Sequence, residues 1–389
     1  MVEWKKLGEV CEKTSNIKWK DQAEDIIYKY IDLSSVSIDS HKIILTTEIC
    51  KQNAPSRAQQ VVNYNDILLG TTRPTLKRYC QVPSYLDNNI CSTGFCIFRA
   101  NKKYVLSRWL YHNIGSGKFW DYCELKQQGA GYPCLSNSDA FAYVIPVPSL
   151  SEQQQIVEQL DTFTASIENL KEQIAQRRKQ YEYYRDQLLD LKGKEGVEMK
   201  KLLDVLAQPI TDGPHETPSF YEYGIPFISA DAIVDNEINF SRKRGYISEE
   251  YDLLCQKKYK PQLNDIYLVK SGSTTGKVAI VRTEKRFNIW SPLAAIRVNQ
   301  SNHPYFVYYM LQTKNVQDQV KLKSSQGSQP NLSMRVLENF VIPVPSFSEQ
   351  QRIVSILDTF EASVRNLEQQ LTQREKQYEY YRNKLLRFE

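Results

Sequence analysis

The stretch VIPVPSLSEQQQIVEQLDTFTASIENLKEQIAQRRKQYEYYRDQLLDL occupies Val144–Leu191, and VIPVPSFSEQQRIVSILDTFEASVRNLEQQLTQREKQYEYYRNKLLRF occupies Val341–Phe388. The two align without a gap at an offset of 197, and 32 of the 48 positions are identical. A chain of 389 residues that repeats one segment so closely is organised in two halves. Ile-Pro-Val-Pro holds the entry extended, because a residue before proline avoids the α region. The phrase SEQQ at Ser151–Gln154 and Ser348–Gln351 then reads as a capping box that opens a helix.

Within the first copy, apolar residues fall at Ile156, Leu160, Phe163, Ile167, Leu170 and Ile174. They resume after Arg177 at Tyr181, Tyr184, Leu188 and Leu191. The second copy repeats the spacing through Ile353, Leu357, Phe360, Val364, Leu367 and Leu371, and past Arg374 through Tyr378, Tyr381, Leu385 and Phe388. Steps of four and three without a slip form a heptad seam. Each helix is expected to be about 55–60 Å long at 1.5 Å per residue. The first helix leaves one globular segment and ends at another, and the second starts from there. Two seams that bury each other must therefore run antiparallel. The expected fold is α+β: two mixed α/β heads held apart by a long two-helix antiparallel coiled coil, with an internal pseudo-two-fold. The boundaries are 1–143 for the first head, 144–196 for the first helical segment with its linker, 197–340 for the second head and 341–389 for the second helical segment.

The heads match only faintly. VEWKKLGEV (2–10) answers VEMKKLLDV (197–205), NDILL (65–69) answers NDIYL (264–268), and PCLS (133–136) answers PNLS (330–333). Short Val/Ile/Tyr-rich runs between turn residues point to moderate β content. The formal charge is +5, with an excess of +4 in 1–143 and +3 in 197–340, so the positive excess lies in the heads. No apolar run approaches the ~18–20 residues that span a bilayer. Eight cysteines without a Cys-x-x-Cys, beside four histidines, fit reduced thiols in a cytoplasmic chain.

Catalytic patterns are missing. GSTTGKV (272–278) has three residues between its glycines, and Val278 stands where a phosphate-binding loop needs Ser or Thr. No methyltransferase, nuclease, metalloprotease or Gly-x-Gly-x-x-Gly motif occurs, so no cofactor and no metal are expected. The informative segments are loops rich in basic and amide side chains. The first head offers TTRPTLKRY with Arg73, Lys77, Arg78 and Tyr79, then Lys102 and Lys103, then Gln127 and Gln128. The second offers His215 and Thr217 in TDGPHETP, Arg242, Lys243 and Arg244 in SRKRGY, Lys270, Ser273, Thr274 and Lys277 in KSGSTTGK, and Gln326 and Gln329 in KSSQGSQPN. Arginine and lysine suit phosphates and guanine edges; amides suit adenine edges. The basic loops follow NDILL and NDIYL at corresponding places, and their side chains differ.

This layout resembles the specificity (S) subunit of type I restriction-modification enzymes. The resemblance spans nearly the whole chain and rests on the duplicated IPVPSxSEQQxIV segments, with DGPHETP and GSTTGKVAIV beside them. It implies that the heads are target recognition domains, each reading one half of a split double-stranded DNA site, and that the helices set the unread spacer. It implies docking of two copies of a methyltransferase subunit that methylates adenine at N6, and through them a motor-nuclease subunit, with no catalytic site on this chain. In the repeated QYEYYR, the tyrosines at 181, 184, 378 and 381 lie on the seam. Glu182, Tyr183, Arg185, Glu379, Tyr380 and Arg382 are expected to face a protein partner. A methylation-only assembly without the motor, and a coiled-coil adaptor that joins two protein-binding heads, are the alternative readings.

Overall fold

The repeated phrase NDI shows how the sequence builds each head. In a computed structural model describing residues 2–325 and 329–388, Asn65 and Asn264 adopt left-handed backbone with φ of 73° and 69°. The turn they make buries the next side chain. Asp66 accepts from the Asn63 amide and pairs with Arg99; Asp265 accepts from the Gln262 amide and pairs with Arg297, each pair 2.7 Å apart. A buried carboxylate needs such partners, which explains why this phrase is kept while the surrounding residues drift.

The chain divides into two compact units: residues 1–173 with 367–389, and residues 174–366. Each unit thus holds one head, part of the helix that follows it, and part of the other long helix. The first unit contains β1 (Glu3–Lys6), β2 (Cys11–Glu12), β3 (Tyr28–Ile31), β4 (Thr47–Ile49), β5 (Ala58–Val62), β6 (Ile67–Gly70), β7 (Tyr79–Gln81), β8 (Asn89–Ser92), β9 (Phe95–Ala100) and β10 (Val144–Val147). Two four-stranded sheets run in the orders β2-β9-β6-β7 and β4-β3-β8-β5, and β1 pairs with β10 as a separate ribbon. The second unit contains β11 (Glu198–Lys201), β12 (Thr211–Asp212), β13 (Ile225–Ile228), β14 (Ile233–Val234), β15 (Glu237–Ile238), β16 (Gly245–Ile247), β17 (Ile266–Val269), β18 (Val278–Ile280), β19 (Asn288–Ile289), β20 (Leu293–Ile296) and β21 (Val341–Val344). Its sheets run β12-β20-β17-β18 and β16-β13-β19, with ribbons β11-β21 and β14-β15. The ribbon that receives Val-Ile-Pro-Val is the same in both units: Trp4 faces Pro146, and Met199 faces Pro343.

The long helices run Leu150–Leu189 and Phe347–Leu385. Each starts one residue before the expected cap. Ser149 accepts from the Glu152 amide at 3.3 Å and Ser346 from the Glu349 amide at 3.4 Å, so Ser151 and Ser348 lie inside the first turn. The fully buried Gln153 has another task. Its carbonyl accepts from the Leu106 amide and its NH2 donates to the carbonyls of Tyr104 and Pro148. Gln350 likewise accepts from the His303 amide and donates to the Pro345 carbonyl, with the Asn302 side-chain Oδ1 as its second acceptor. These glutamines pin the helices to their heads.

The helices pack antiparallel. In the first unit Phe163 stacks on Tyr381 at 5.3 Å and Lys171 meets Glu375 at 3.3 Å; in the second, Tyr184 stacks on Phe360 at 5.3 Å. At the helix ends burial widens beyond the seam: Leu191 on the seam is buried, and so are Leu189 and Leu386 beside it. A straight helix drifts about 20° per heptad from a 3.5-residue repeat, and these ends pack into a head as well as a helix. The first unit's core joins Trp109 and Phe119 to Leu160 of one helix and Leu386 of the other. The second joins Phe306 and Phe340 to Leu189 and Leu357. Large aromatics of each head therefore close over the beginning of one helix and the end of the other.

Candidate nucleic-acid interface

In the first head, β6 ends at Gly70 and the chain turns through Thr71–Arg78 into β7. Arg73 and Lys77 bracket a one-turn 3-10 segment (Pro74–Leu76) with φ of 50° and 52°. The loop is stitched to the segment before helix Asn137–Ala142. Arg73 donates its amide to Pro133 at 2.7 Å, and the Leu135 amide donates to Thr71 at 2.9 Å. That second segment is itself a hairpin, with Gln128 and Cys134 exchanging amide bonds. The exposed Arg73 guanidinium lies over the exposed Tyr132 ring at 4.4 Å. Arg73, Lys77 and Gln128 thus share one surface with Tyr132, a residue that reading the charged positions alone overlooked.

The other expected residues of this head are placed differently. Tyr79 is buried and packs on His41, Tyr111 and Trp120, so it serves the core. Arg78 donates to the Leu33 carbonyl at 2.7 Å and is half-buried. Lys102 and Lys103 are exposed but lie at the opposite end of the sheet. In the β6–β9 pairing Gly70 faces Phe95, the start of β9, whereas the lysines follow Ala100 at its end. Gln127 is half-buried, its side-chain carbonyl enclosed without a partner.

The second head repeats the construction. β17 ends at Val269 and the loop Lys270–Lys277 turns at Gly272 and Gly276, with φ of 97° and 98°. Gly272 donates its amide to Pro330 at 3.0 Å, and the Leu332 amide donates to Lys270 at 2.7 Å. A bridge at Trp290–Pro292 gathers the remaining segments. The Ser291 amide donates to Pro214 at 3.2 Å, the Lys270 amide to Pro292 at 2.8 Å, and the Arg244 guanidinium lies over Trp290 at 4.9 Å. Segments 212–217, 242–244, 270–277 and 329–332 therefore form one surface. Trp290 belongs to it, and only its aromatic character between Asn288 and Pro292 could have marked it in the sequence.

Beneath this surface lies Asp212, 1% exposed. Lys258 contacts its Oδ1, while His215 Nε2 and Lys270 Nζ lie 3.2 Å and 3.3 Å from Oδ2. Lys270 is half-buried and committed to this carboxylate, so its task is to position the loop. Ser273 and Lys277 are exposed and Thr274 is partly exposed, and all three line a cavity shared with Glu182 and Arg185. His215, Thr217, Arg242 and Gln329 are exposed; Lys243 is partly exposed over the Tyr246 ring, and Arg244 also reaches Asp231. Gln326 lies outside the described residues. A cavity of about 320 Å³ opens beside Asp212, lined by His215, Tyr251, Lys258 and Asn288. Gly213 lets this segment pass, since a Cβ there would sit 2.0 Å from the Ile289 carbonyl oxygen.

The model of the family described as "Type I restriction modification DNA specificity domain" matches this chain twice, over residues 1–177 and 194–375. The chain belongs to this specificity family. It is 34% identical over 269 residues to the type I restriction enzyme EcoR124I/EcoR124II specificity subunit of Escherichia coli, an alignment covering 66% of this chain and 62% of that one. It is 28% identical to a putative type I restriction enzyme specificity subunit of Haemophilus influenzae, over 74% of each chain. Its structure is similar, with a TM-score of 0.64 and 25% identity, to a chain solved under the heading of complex assembly and conformational transition of the type I R-M system, covering 99% of this chain and 97% of that one.

In this member of the specificity family the QYEYYR side chains divide into two groups. Tyr183 and Tyr380 are 61% and 60% exposed, and Glu182 and Glu379 are exposed beside them. Arg185 and Arg382 are corrected: each is only 9% exposed. Arg185 bonds to Asp186 and lies over Tyr181, and Arg382 lies 4.8 Å over Tyr378, against Gly115. Both sit where a helix end enters a head, so burial withdraws them from a partner. Nearby, His112 Nε2 donates to Asp161 at 2.8 Å and Nδ1 accepts from Tyr378, while Arg108 also pairs with Asp161. Tyr309 and Asp358 make the matching bond in the second unit, at 2.6 Å. No helix among the described residues is long and apolar enough to cross a membrane.

Proposed function

We propose that this chain is the DNA-reading subunit of a type I restriction-modification complex, in which heads 1–143 and 197–340 each read one half of a split double-stranded site. In this reading segments 144–196 and 341–389 fix the unread spacer and dock two adenine-N6 methyltransferase subunits, which in turn bring the motor-nuclease. The observation that carries it is the paired construction of the heads. Each places a loop after its central strand, stitches it to a second loop by two backbone hydrogen bonds, and surrounds it with exposed cations, amides and one aromatic side chain. The scaffold is common to both heads while the projecting side chains differ, as two readers of different half-sites require. Arginine and lysine supply phosphate contacts, and arginine, glutamine and histidine can address base edges. Exposed Tyr183 and Tyr380 support equivalent docking positions for two copies of one partner.

The test is a map of N6-methyladenine across a genome in cells with and without this chain, supported by gel shifts at varied salt with the methyltransferase present. A split motif that disappears with the chain is expected. Binding that never separates any sequence from random DNA overturns the reading.

A further inference from the structure

The two helical repeats differ at 16 of 48 positions, and the differences in charge are not scattered. Six charged positions keep their sign, from Glu152/Glu349 to Arg185/Arg382. Three consecutive reversals lie at Glu168/Arg365, Lys171/Glu368 and Arg178/Glu375, and one more at Asp190/Arg387 near the helix ends. The three are where each head's hairpin and the opposite helix meet.

In the first unit, Val36 and Ile43 bridge a hairpin whose Lys42 pairs with Glu168 at 2.9 Å. Lys171 donates to the Asp39 carbonyl of that hairpin and pairs with Glu375 of the other helix. In the second unit, Ile233 and Ile238 pair in the β14–β15 hairpin. Its Glu237 lies 3.8 Å from Arg365, and its Asp235 lies 3.6 Å from Arg178. Lys42 immediately precedes Ile43 as Glu237 precedes Ile238. Lys42 on Glu168 and Glu237 on Arg365 therefore occupy matching helix positions with the signs exchanged.

We propose that these reversals are a pairing code: they direct the first long helix to the second, and each head's hairpin to its own helical seat, against pairing of like with like. The first helix set antiparallel against a copy of itself would bring Lys171 against Arg178. The second against its own copy would bring Glu368 against Glu375. Hairpins exchanged between seats would put Lys42 against Arg365 and Glu237 against Glu168. Each native pair is half-exposed and stabilises weakly. Specificity, however, is the difference between right and wrong pairings, and like charges penalise every wrong one, as flanking charges do in coiled coils. The surrounding residues make the code necessary. Identity over two thirds of the repeat leaves the apolar faces of the helices nearly interchangeable, so little besides charge distinguishes unlike from like halves.

The test is a double-mutant cycle in the full-length chain. Lys171→Glu and Glu375→Lys are made singly and together, and unfolding is followed by tryptophan fluorescence, since four of the five tryptophans lie in the first unit (4, 19, 109 and 120). At low salt each single change is expected to lower the midpoint by about 2–4 °C and the double change to restore it. In 1 M salt, where the screening length is ~3 Å, the single variants approach wild type. Lys42→Glu with Glu168→Lys gives the same test for the hairpin, and Lys179→Glu, at a position whose sign is kept, serves as a control without effect. Losses in the double variants equal to the sum of the singles, or unaffected by salt, overturn the proposal. The proposal stands independently of what the heads bind.

Discussion

Gln153 and Gln350 each satisfy one backbone amide and two acceptors from a fully buried position, so the helix-to-head joint depends on a single side chain. Gln153→Ala leaves the Leu106 amide and the Tyr104 and Pro148 carbonyls without partners, at a cost of about 1–3 kcal/mol. The expected result is a lower denaturant midpoint with an unchanged slope, whereas Gln154→Ala, on the exposed face, stays near wild type. His112 is a second sensitive residue. Burial in the first unit pushes its imidazole down to about 4, against the opposing bond to Asp161. His41, buried against Tyr79 and near Lys171 and Arg382, is also lowered to about 4. A depressed folded value means that the unfolded chain binds more protons. Stability is then complete above the ordinary histidine value near 6.5 and declines as pH falls toward 4. Tryptophan-reported melting is expected to drop steeply over that window, and His112→Gln should flatten the slope even if it lowers the plateau. A slope unchanged in the variant would remove His112 from this account.

At the scale of elements, the helices were legible because a repeated 3.5-residue pattern and a proline-serine start leave few alternatives. The exact cap was not: Ser149 and Ser151 are equally good oxygen acceptors, and only the demand that Gln153 reach the head selects the first. The loops were legible as loops, but the commitments of their side chains were not. Nothing local distinguishes Tyr79, which enters the core as β7 begins, from Tyr132, which lies exposed beneath Arg73. Lys270 resembles Lys277 in sequence and differs only because a buried carboxylate sits below it. That difference makes a prediction. Lys277→Ala should weaken DNA binding and reduce its salt dependence by about one phosphate contact without changing stability. Lys270→Ala should also lower the melting temperature, because Asp212 loses a counter-charge in a buried site. Gly213→Ala should be the most damaging of the three, since its new methyl meets a carbonyl that the β13–β19 pairing holds in place. Thermal melts beside gel shifts of the same variants separate the three outcomes.

At the scale of the molecule, duplication with divergence has a consequence that no single head shows. The two proposed reading surfaces use one scaffold, and each is completed within its own unit by backbone bonds from its own loops. A change on one surface should therefore alter the reading of one half-site and leave the other intact. Arg73 is the sharpest choice in the first head: its backbone carries the stitch to Pro133, so replacing only the side chain keeps the loop folded. Arg73→Gln keeps a hydrogen-bonding group on a shorter side chain and removes the charge and the hold on Tyr132. Arg244→Gln does the corresponding thing in the second head, releasing Trp290. Methylation maps of cells carrying each variant are expected to show a split motif relaxed or lost on one side, and the two variants should affect opposite sides. Each lost bidentate base contact removes about 1–3 kcal/mol of discrimination, so a half-site loses preference at one or two positions rather than vanishing. If both variants blur the same half, or blur both halves equally, the heads do not read independently, and the link between the duplicated scaffold and a split target fails.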